Sequence, residues 1–173
     1  MTKFRWKPNV TVAAVIEQDG KFLLVEELTA QGLKLNTPAG HLDPGESPIE
    51  GCARETLEET AHAFTPTALI GIYMARSSHR TGRNEDDVIY MRFAFSGVLG
   101  PRENGRALDH GIVRTVWMSA DEIRASVPRH RSPLLLQSVE DHLAGRRYPA
   151  RSDPRPRLGA LTVGAHRFQA VRR

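Results

Sequence analysis

Residues 39–62 read Ala39-Gly40-His41-Leu42-Asp43-Pro44-Gly45-Glu46-Ser47-Pro48-Ile49-Glu50-Gly51-Cys52-Ala53-Arg54-Glu55-Thr56-Leu57-Glu58-Glu59-Thr60-Ala61-His62. The order is a loop, a capped helix and an acidic cluster. Pro44-Gly45 is a turn signal. Ser47, Pro48 and Glu50 suit the N-cap, first and third helical positions, a capping box with proline where its missing N–H does no harm. Ile49, Cys52, Ala53, Thr56 and Thr60 then fall on one apolar or small stripe for a core. Glu55, Glu58 and Glu59 lie on the arc beside it. Like charges at this spacing cost a few tenths of a kcal/mol per pair. A divalent cation removes that cost, because hard Mg²⁺ prefers carboxylate oxygens and keeps waters for a phosphate substrate. The competing reading is a solvated, glutamate-rich helix face.

The spacing is Gly40, five residues, Glu46, seven residues, Arg54-Glu55, two residues, then Glu58-Glu59. This resembles the Nudix box of hydrolases that act on nucleoside-diphosphate-linked compounds. Three looser positions depart: the box usually has glycine at Ala61 and aliphatic residues at His62 and Thr56. The resemblance implies an α/β fold, a Nudix-type α/β/α sandwich with a mixed sheet, the box helix on one side and C-terminal helices on the other. It also implies that a carbonyl near Ala39 or Gly40 faces the metal together with Glu55, Glu58 and Glu59. Mg²⁺ is the expected ion, with Mn²⁺ as an alternative. Arg54 and Glu46 are implied to pair and so fix the box loop to its helix.

Further stretches resemble the NudJ phosphatase subgroup over residues 7–149: Lys7-Pro8-Asn9-Val10-Thr11-Val12-Ala13, Pro38-Ala39-Gly40-His41-Leu42, Arg92-Phe93, Trp117 to Ile123, Arg131-Ser132-Pro133-Leu134 and Arg147-Tyr148-Pro149. Members of that subgroup are phosphatases of nucleoside tri- and diphosphates and of hydroxymethylpyrimidine pyrophosphate. Two other readings remain: a pyrophosphohydrolase of ADP-ribose, a sugar nucleotide, a dinucleoside polyphosphate or capped RNA, and a Nudix domain used only to bind a regulatory ligand. Regulators of that kind often lose metal glutamates, and this chain keeps them.

A phosphoanhydride resists hydrolysis because its own charge repels a nucleophile, so catalysis needs charge neutralisation and a water in line with the leaving oxygen. Glu58 or Glu55 is the candidate base for that water. In some relatives the base comes from a later loop, where Asp109 or one of Glu85, Asp86 and Asp87 is available. Arg5, Lys7, Arg76, His79, Arg80 and Arg92 are candidate partners for substrate phosphates. Arg92 stands out as a charge within an otherwise apolar strand. His41, in the box loop, is a further candidate for substrate contact.

The chain has 173 residues, 40% hydrophobic and 25% charged, which suits one globular domain with a sizeable core. Its net charge of +4 comes from the end: residues 146–173 hold eight arginines and one acid, and residues 1–145 carry sixteen basic against nineteen acidic groups. Charge therefore lends no support to nucleic-acid binding by the folded domain. A Nudix domain over residues 1–149 followed by a Pro/Arg-rich tail over 150–173 is the expected division, with disorder or loose docking the default for the tail. Leu161-Thr162-Val163 and Phe168 could add a short strand there. The single cysteine, Cys52, lies on the inward stripe and reads as a small buried side chain. No apolar run approaches a membrane span and no leader segment is evident, which favours the cytoplasm. A monomer or homodimer acting on a small nucleotide or pyrophosphate is expected.

Along the chain, Val10–Ile16 and Phe22–Glu26 read as a hairpin around Asp19-Gly20. Residues 28–34 read as a loop. Strands are expected at 68–76, 88–98 and 112–118. Loops are expected at 77–87 and 100–111, and helices after Ser119 and over 134–143.

Overall fold

The computed structural model describes residues 6–76 and 88–150. Strand β1 (Asn9–Val15) explains the layering. Its Val12 and Ala14 join one buried apolar cluster, while Ala13 and Val15 join another. Side chains of a strand alternate between faces, so a strand covered on both sides needs apolar residues at successive positions. Val12-Ala13-Ala14-Val15 meets that demand.

β1 pairs antiparallel with β5 (Ala39–His41) and parallel with β7 (Ile89–Arg102). β7 pairs antiparallel with β6 (His62–Arg76), whose far edge takes the short β9 (Tyr148–Pro149). The result is a mixed sheet in the order β5-β1-β7-β6-β9. A second, antiparallel sheet holds β2 (Glu17–Gln18), β3 (Lys21–Thr29), β4 (Gly32–Asn36) and β8 (Ile112–Ser119).

Helix α1 (Pro48–Thr60) covers one face of the mixed sheet, with Cys52 packed among Val12, Ala14, Phe64 and Phe95. Helix α3 (Leu134–Leu143) covers the other through Leu135 and Val139, and α2 (Ala120–Ala125) packs against α3 and β8 with Ile123 in the same apolar cluster. Each fully buried Leu, Ile or Val contributes about 1.5–3 kcal/mol. The α/β/α arrangement is therefore as expected, with the antiparallel sheet as an addition. Both α1 and α2 begin in complete capping boxes, Ser47 with Glu50 and Ser119 with Glu122. Helix α1 ends on Ala61, whose φ of 58° is left-handed. Glycine reaches that conformation without strain, so the departure from the box pattern falls where the backbone would favour glycine. Among the described residues, no helix is long and apolar enough to cross a membrane.

Several boundaries differ from the sequence reading. The Asp19-Gly20 turn forms, with φ of 50° and 73°. The hairpin around it, however, pairs only Glu17 with Phe22 and Gln18 with Lys21. β1 and β3 part company there because each is claimed by a different sheet. Residues 28–34 are not a simple loop: β3 runs on to Thr29 and turns into β4, pairing Leu28 with Leu33. β6 starts six residues early, at His62, because bulges carry the strand past Pro66. β7 continues past Gly97 to Arg102. The expected loop over 77–87, with His79, Arg80, Glu85, Asp86 and Asp87, lies outside the described residues, as do Arg5 and the tail from residue 151, including the short strand considered at Leu161-Thr162-Val163.

Candidate functional site

Arg54, on the second turn of α1, ties the box loop to the helix. Its Nε donates to Glu46 Oε2 at 3.1 Å and its Nη2 to Glu46 Oε1 at 2.7 Å. This two-pronged geometry matches guanidinium to carboxylate. Nη2 also donates to the His41 carbonyl at 3.0 Å, and Glu46 Oε1 accepts the Asp43 N–H at 2.7 Å. The loop from His41 to Glu46 is thus stitched to the helix at both ends. The Arg54 guanidinium holds the Glu46 carboxyl below its ordinary range. Nη1 reaches further along the helix, to Glu55 Oε1 at 2.8 Å and Glu58 Oε2 at 2.9 Å. One guanidinium therefore touches three of the four glutamates singled out in the sequence.

The fourth, Glu59, is buried and accepts the Ala39 N–H at 2.8 Å. Burial pushes its carboxyl up to about 8, with Glu55, Glu27 and Asp109 adding repulsion. Burial likewise raises Glu55. Gly40 is required by close approach: a Cβ there would lie 2.1 Å from the Glu55 carboxyl carbon. Ala39 and Gly40 on β5 are thereby held against Glu59 and Glu55 on α1. Among the described residues, no group of three His, Cys, Asp or Glu side chains is arranged to hold a metal ion. Arg54 Nη1 bridges two of the acids, and the Ala39 N–H engages the third. The donors still suit a hard divalent cation: carboxylate oxygens, crowded and partly desolvated, with an excess of negative charge that a cation would offset.

The loop after β7 closes on the end of α1. Asp109 N–H donates to the Glu58 carbonyl at 2.9 Å and Glu103 N–H to the Ala61 carbonyl at 2.7 Å, satisfying carbonyls that a helix end leaves open. Asp109 is thus brought to the box helix, within electrostatic reach of Glu55 and Glu59.

Beside β5 opens a cavity of about 500 Å³, lined by Thr11, Glu27, Asn36, His41, Tyr90 and Arg92 among others. Across the mixed sheet, His41, Thr11, Arg92 and Tyr73 stand in one row. Two residues along, Ala13 and Ala94 belong to the apolar core. The same sheet face therefore passes from core to polar floor in a single step of the pleat. Arg92 is only 9% exposed, and burial pulls it down to about 10 against the pull of Glu27 and Glu59. An unpaired buried polar group costs about 1–3 kcal/mol; Thr11 Oγ1, Glu27 Oε1 and Arg92 Nε have no hydrogen-bond partner. Lys7 is exposed and does not line the cavity. The sequence reading missed Thr11, Glu27, Asn36 and Tyr90. Its only signals were a threonine inside an apolar strand and an asparagine just before the box.

The NUDIX domain profile matches residues 6–137. The phosphatase NudJ of Escherichia coli (strain K12) is 37% identical over 145 residues, covering 83% of this chain and 89% of that one. The Shigella flexneri phosphatase NudJ matches to the same extent. Among solved structures, a Nudix hydrolase from Nitrosomonas europaea is 54% identical, with a TM-score of 0.76 over 83% of this chain and 93% of that one. The E. coli ORF135 protein, 23% identical, shares the fold with a TM-score of 0.61, over 81% of this chain and 91% of that one. The box spacing, the sandwich around β1 and these likenesses agree, and the chain belongs to the Nudix hydrolase family.

Proposed function

We propose that this chain is a Mg²⁺-dependent phosphatase that hydrolyses a phosphoanhydride bond of nucleoside tri- or diphosphates or of hydroxymethylpyrimidine pyrophosphate. The observation that carries this reading is the junction at Ala39-Gly40. There the box carboxylates Glu55 and Glu59 meet the strand that borders the 500 Å³ cavity. An anhydride at that junction would have its phosphates at the carboxylates and its organic group in the cavity.

Glu55, Glu58 and Glu59, with the Ala39 and Gly40 carbonyls, would hold the divalent ion, Mg²⁺ or in its place Mn²⁺. The bound ion supplies charge neutralisation at the phosphates and acidifies a water. Glu58 or Glu55 takes the proton from the attacking water, with Asp109 the alternative from the neighbouring loop. Arg54 is a positioning residue: its hold on Glu46 and the His41 carbonyl fixes the box loop. Arg54 Nη1 donates to Glu55 and Glu58 and so also orients the two carboxylates that would hold the ion.

The test is orthophosphate against pyrophosphate release with Mg²⁺, using nucleoside tri- and diphosphates, hydroxymethylpyrimidine pyrophosphate, ADP-ribose and dinucleoside polyphosphates, and Glu59→Gln as control. Orthophosphate from the first three, lost in the variant, supports the phosphatase. Pyrophosphate release, or turnover of only the last two, moves the chain to another Nudix activity. Binding without turnover points to a ligand-binding regulator.

A further inference from the structure

Helix α1 covers only part of its face of the mixed sheet. On that face Val12, Phe93 and Ile72 stand in one row across β1, β7 and β6, and Val10, Met91 and Met74 in the next. Val12 is buried, Phe93 half-buried and Ile72 55% exposed. In the second row Val10 and Met91 are half-buried and Met74 is 54% exposed. Cover thus thins from β1 outward to β6, where two large apolar side chains meet water. β9 borders β6 only at Ala68 and Leu69. Among the described residues, no strand lies along the outer edge of β6 from Ile72 to Met74. An open edge beside an apolar face is a place for an added segment.

The described residues end on this same face. Ala150 donates its N–H to the Thr67 carbonyl at 3.3 Å and packs against the apolar cluster that Leu69 and Phe93 also join. Beyond it, residues 151–173 hold six arginines, one aspartate and the apolar run Leu161-Thr162-Val163. We propose that this run docks on the β6–β7 face of its own chain and covers Ile72 and Met74. Leu161 lies eleven positions past Ala150, and an extended link of that length spans up to about 36 Å. Ile72 and Met74 lie five and seven residues along β6 from Thr67, about 17 to 23 Å away, so the link has length to turn back and reach them. In an extended run Leu161 and Val163 share a face, which matches the spacing of Ile72 and Met74. Residues 1–145 carry nineteen acidic against sixteen basic groups, so the arginine-rich tail is drawn to its own domain. A tethered segment acts at an effective concentration on the order of millimolar. That suits a patch of two exposed side chains, whereas a second copy needs a larger one.

The test attaches a nitroxide to the full chain through Thr162→Cys. The native Cys52 is buried, so the new thiol takes the label. Methionine methyl resonances report the contact: Met74 and Met91 on the proposed surface, Met118 against the opposite apolar cluster. Met74 and Met91 should lose their signals while Met118 keeps its intensity. Adding Leu161→Ser and Val163→Ser to the labelled chain should restore both. Without the label, the same two substitutions should shift the Met74 and Met91 resonances and leave Met118 in place. Even broadening of all three methyls, no broadening, or unmoved resonances overturn the proposal. Broadening of nitroxide-free, isotope-labelled chains mixed with nitroxide-bearing ones overturns it too, because the tail then sits on a second copy.

Discussion

The end of α1 and the cavity beside β5 share a border at Ala39-Gly40 but are built by opposite rules. At α1 the charged groups satisfy one another: Arg54 spans Glu46, Glu55 and Glu58, and Glu59 takes the Ala39 N–H. In the cavity, polar atoms of Thr11, Glu27 and Arg92 are left without partners. The first region spans some twenty consecutive residues, so its bonds are local. The second draws on strands more than eighty residues apart in sequence, from Thr11 to Arg92. A local network can be completed within the chain, whereas the cavity leaves its bonding to a ligand. Activity should therefore be lost at the box, and selectivity at the cavity.

The largest effect is expected from Glu59→Gln, which keeps shape and removes charge. Metal-dependent turnover should fall by at least about a hundredfold, while the variant melts no lower than the parent, since a desolvated carboxylate has been removed. Retained turnover would break the assignment of the box to chemistry. Gly40→Ala comes next. Its new methyl meets the Glu55 carboxyl, and displacing that group by about 1 Å should cost roughly a hundredfold in kcat. An active Gly40→Ala enzyme, measured in steady state, would show that Glu55 has freedom the close approach denies.

Third is the pH dependence of stability in chelator-treated protein. Burial pushes the Glu59 carboxyl of the folded chain up to about 8, above the ordinary carboxylate value of 4.5. Its contribution to stability is thus fully present below 4.5 and is lost as pH rises through about 8, with a slope of order 1.4 kcal/mol per unit inside that window. Denaturant melts at stepped pH should show the decline, and Glu59→Gln should flatten it. A native chain without such a decline would mean that water or Arg54 screens Glu59 more than its burial implies.

The smallest effect sharpens the contrast from the cavity side. Thr11→Val replaces an unpaired buried hydroxyl with a methyl of equal size, so the ligand-free protein should gain up to about 1 kcal/mol. Thermal melts read this directly. A loss of similar size would mean that Thr11 has a partner, such as bound water, and that the cavity is less open to a ligand.

Helix α1 and its caps were legible because they depend on near neighbours. Ser47 and Glu50 bond across three positions, and the stripe holding Cys52 and Thr56 needs only helical periodicity. The Arg54–Glu46 pair lies eight positions apart. The misread hairpin shows the limit. Asp19-Gly20 dictates a turn, but which sheet receives β1 and which β3 depends on partners at 39–41, 89–102 and 112–119. β6 begins at His62, ahead of the strand expected from residue 68, because bulges against β7 accommodate Pro66.

The sequence by itself determined the capped box helix, the buried cysteine stripe and the acidic cluster, because these rest on spacing, capping and side-chain charge, while the α/β class followed from the resemblance that the box carries. The tertiary structure decided that Gly40 abuts Glu55 and that Asp109 closes on the Glu58 carbonyl. It also decided that Arg92, Thr11, Asn36 and Glu27 share one cavity. A lone arginine or threonine in a strand carries no record of the side chain across from it. Strand order and register bring such residues together, and these are fixed by burying both faces of β1 at once.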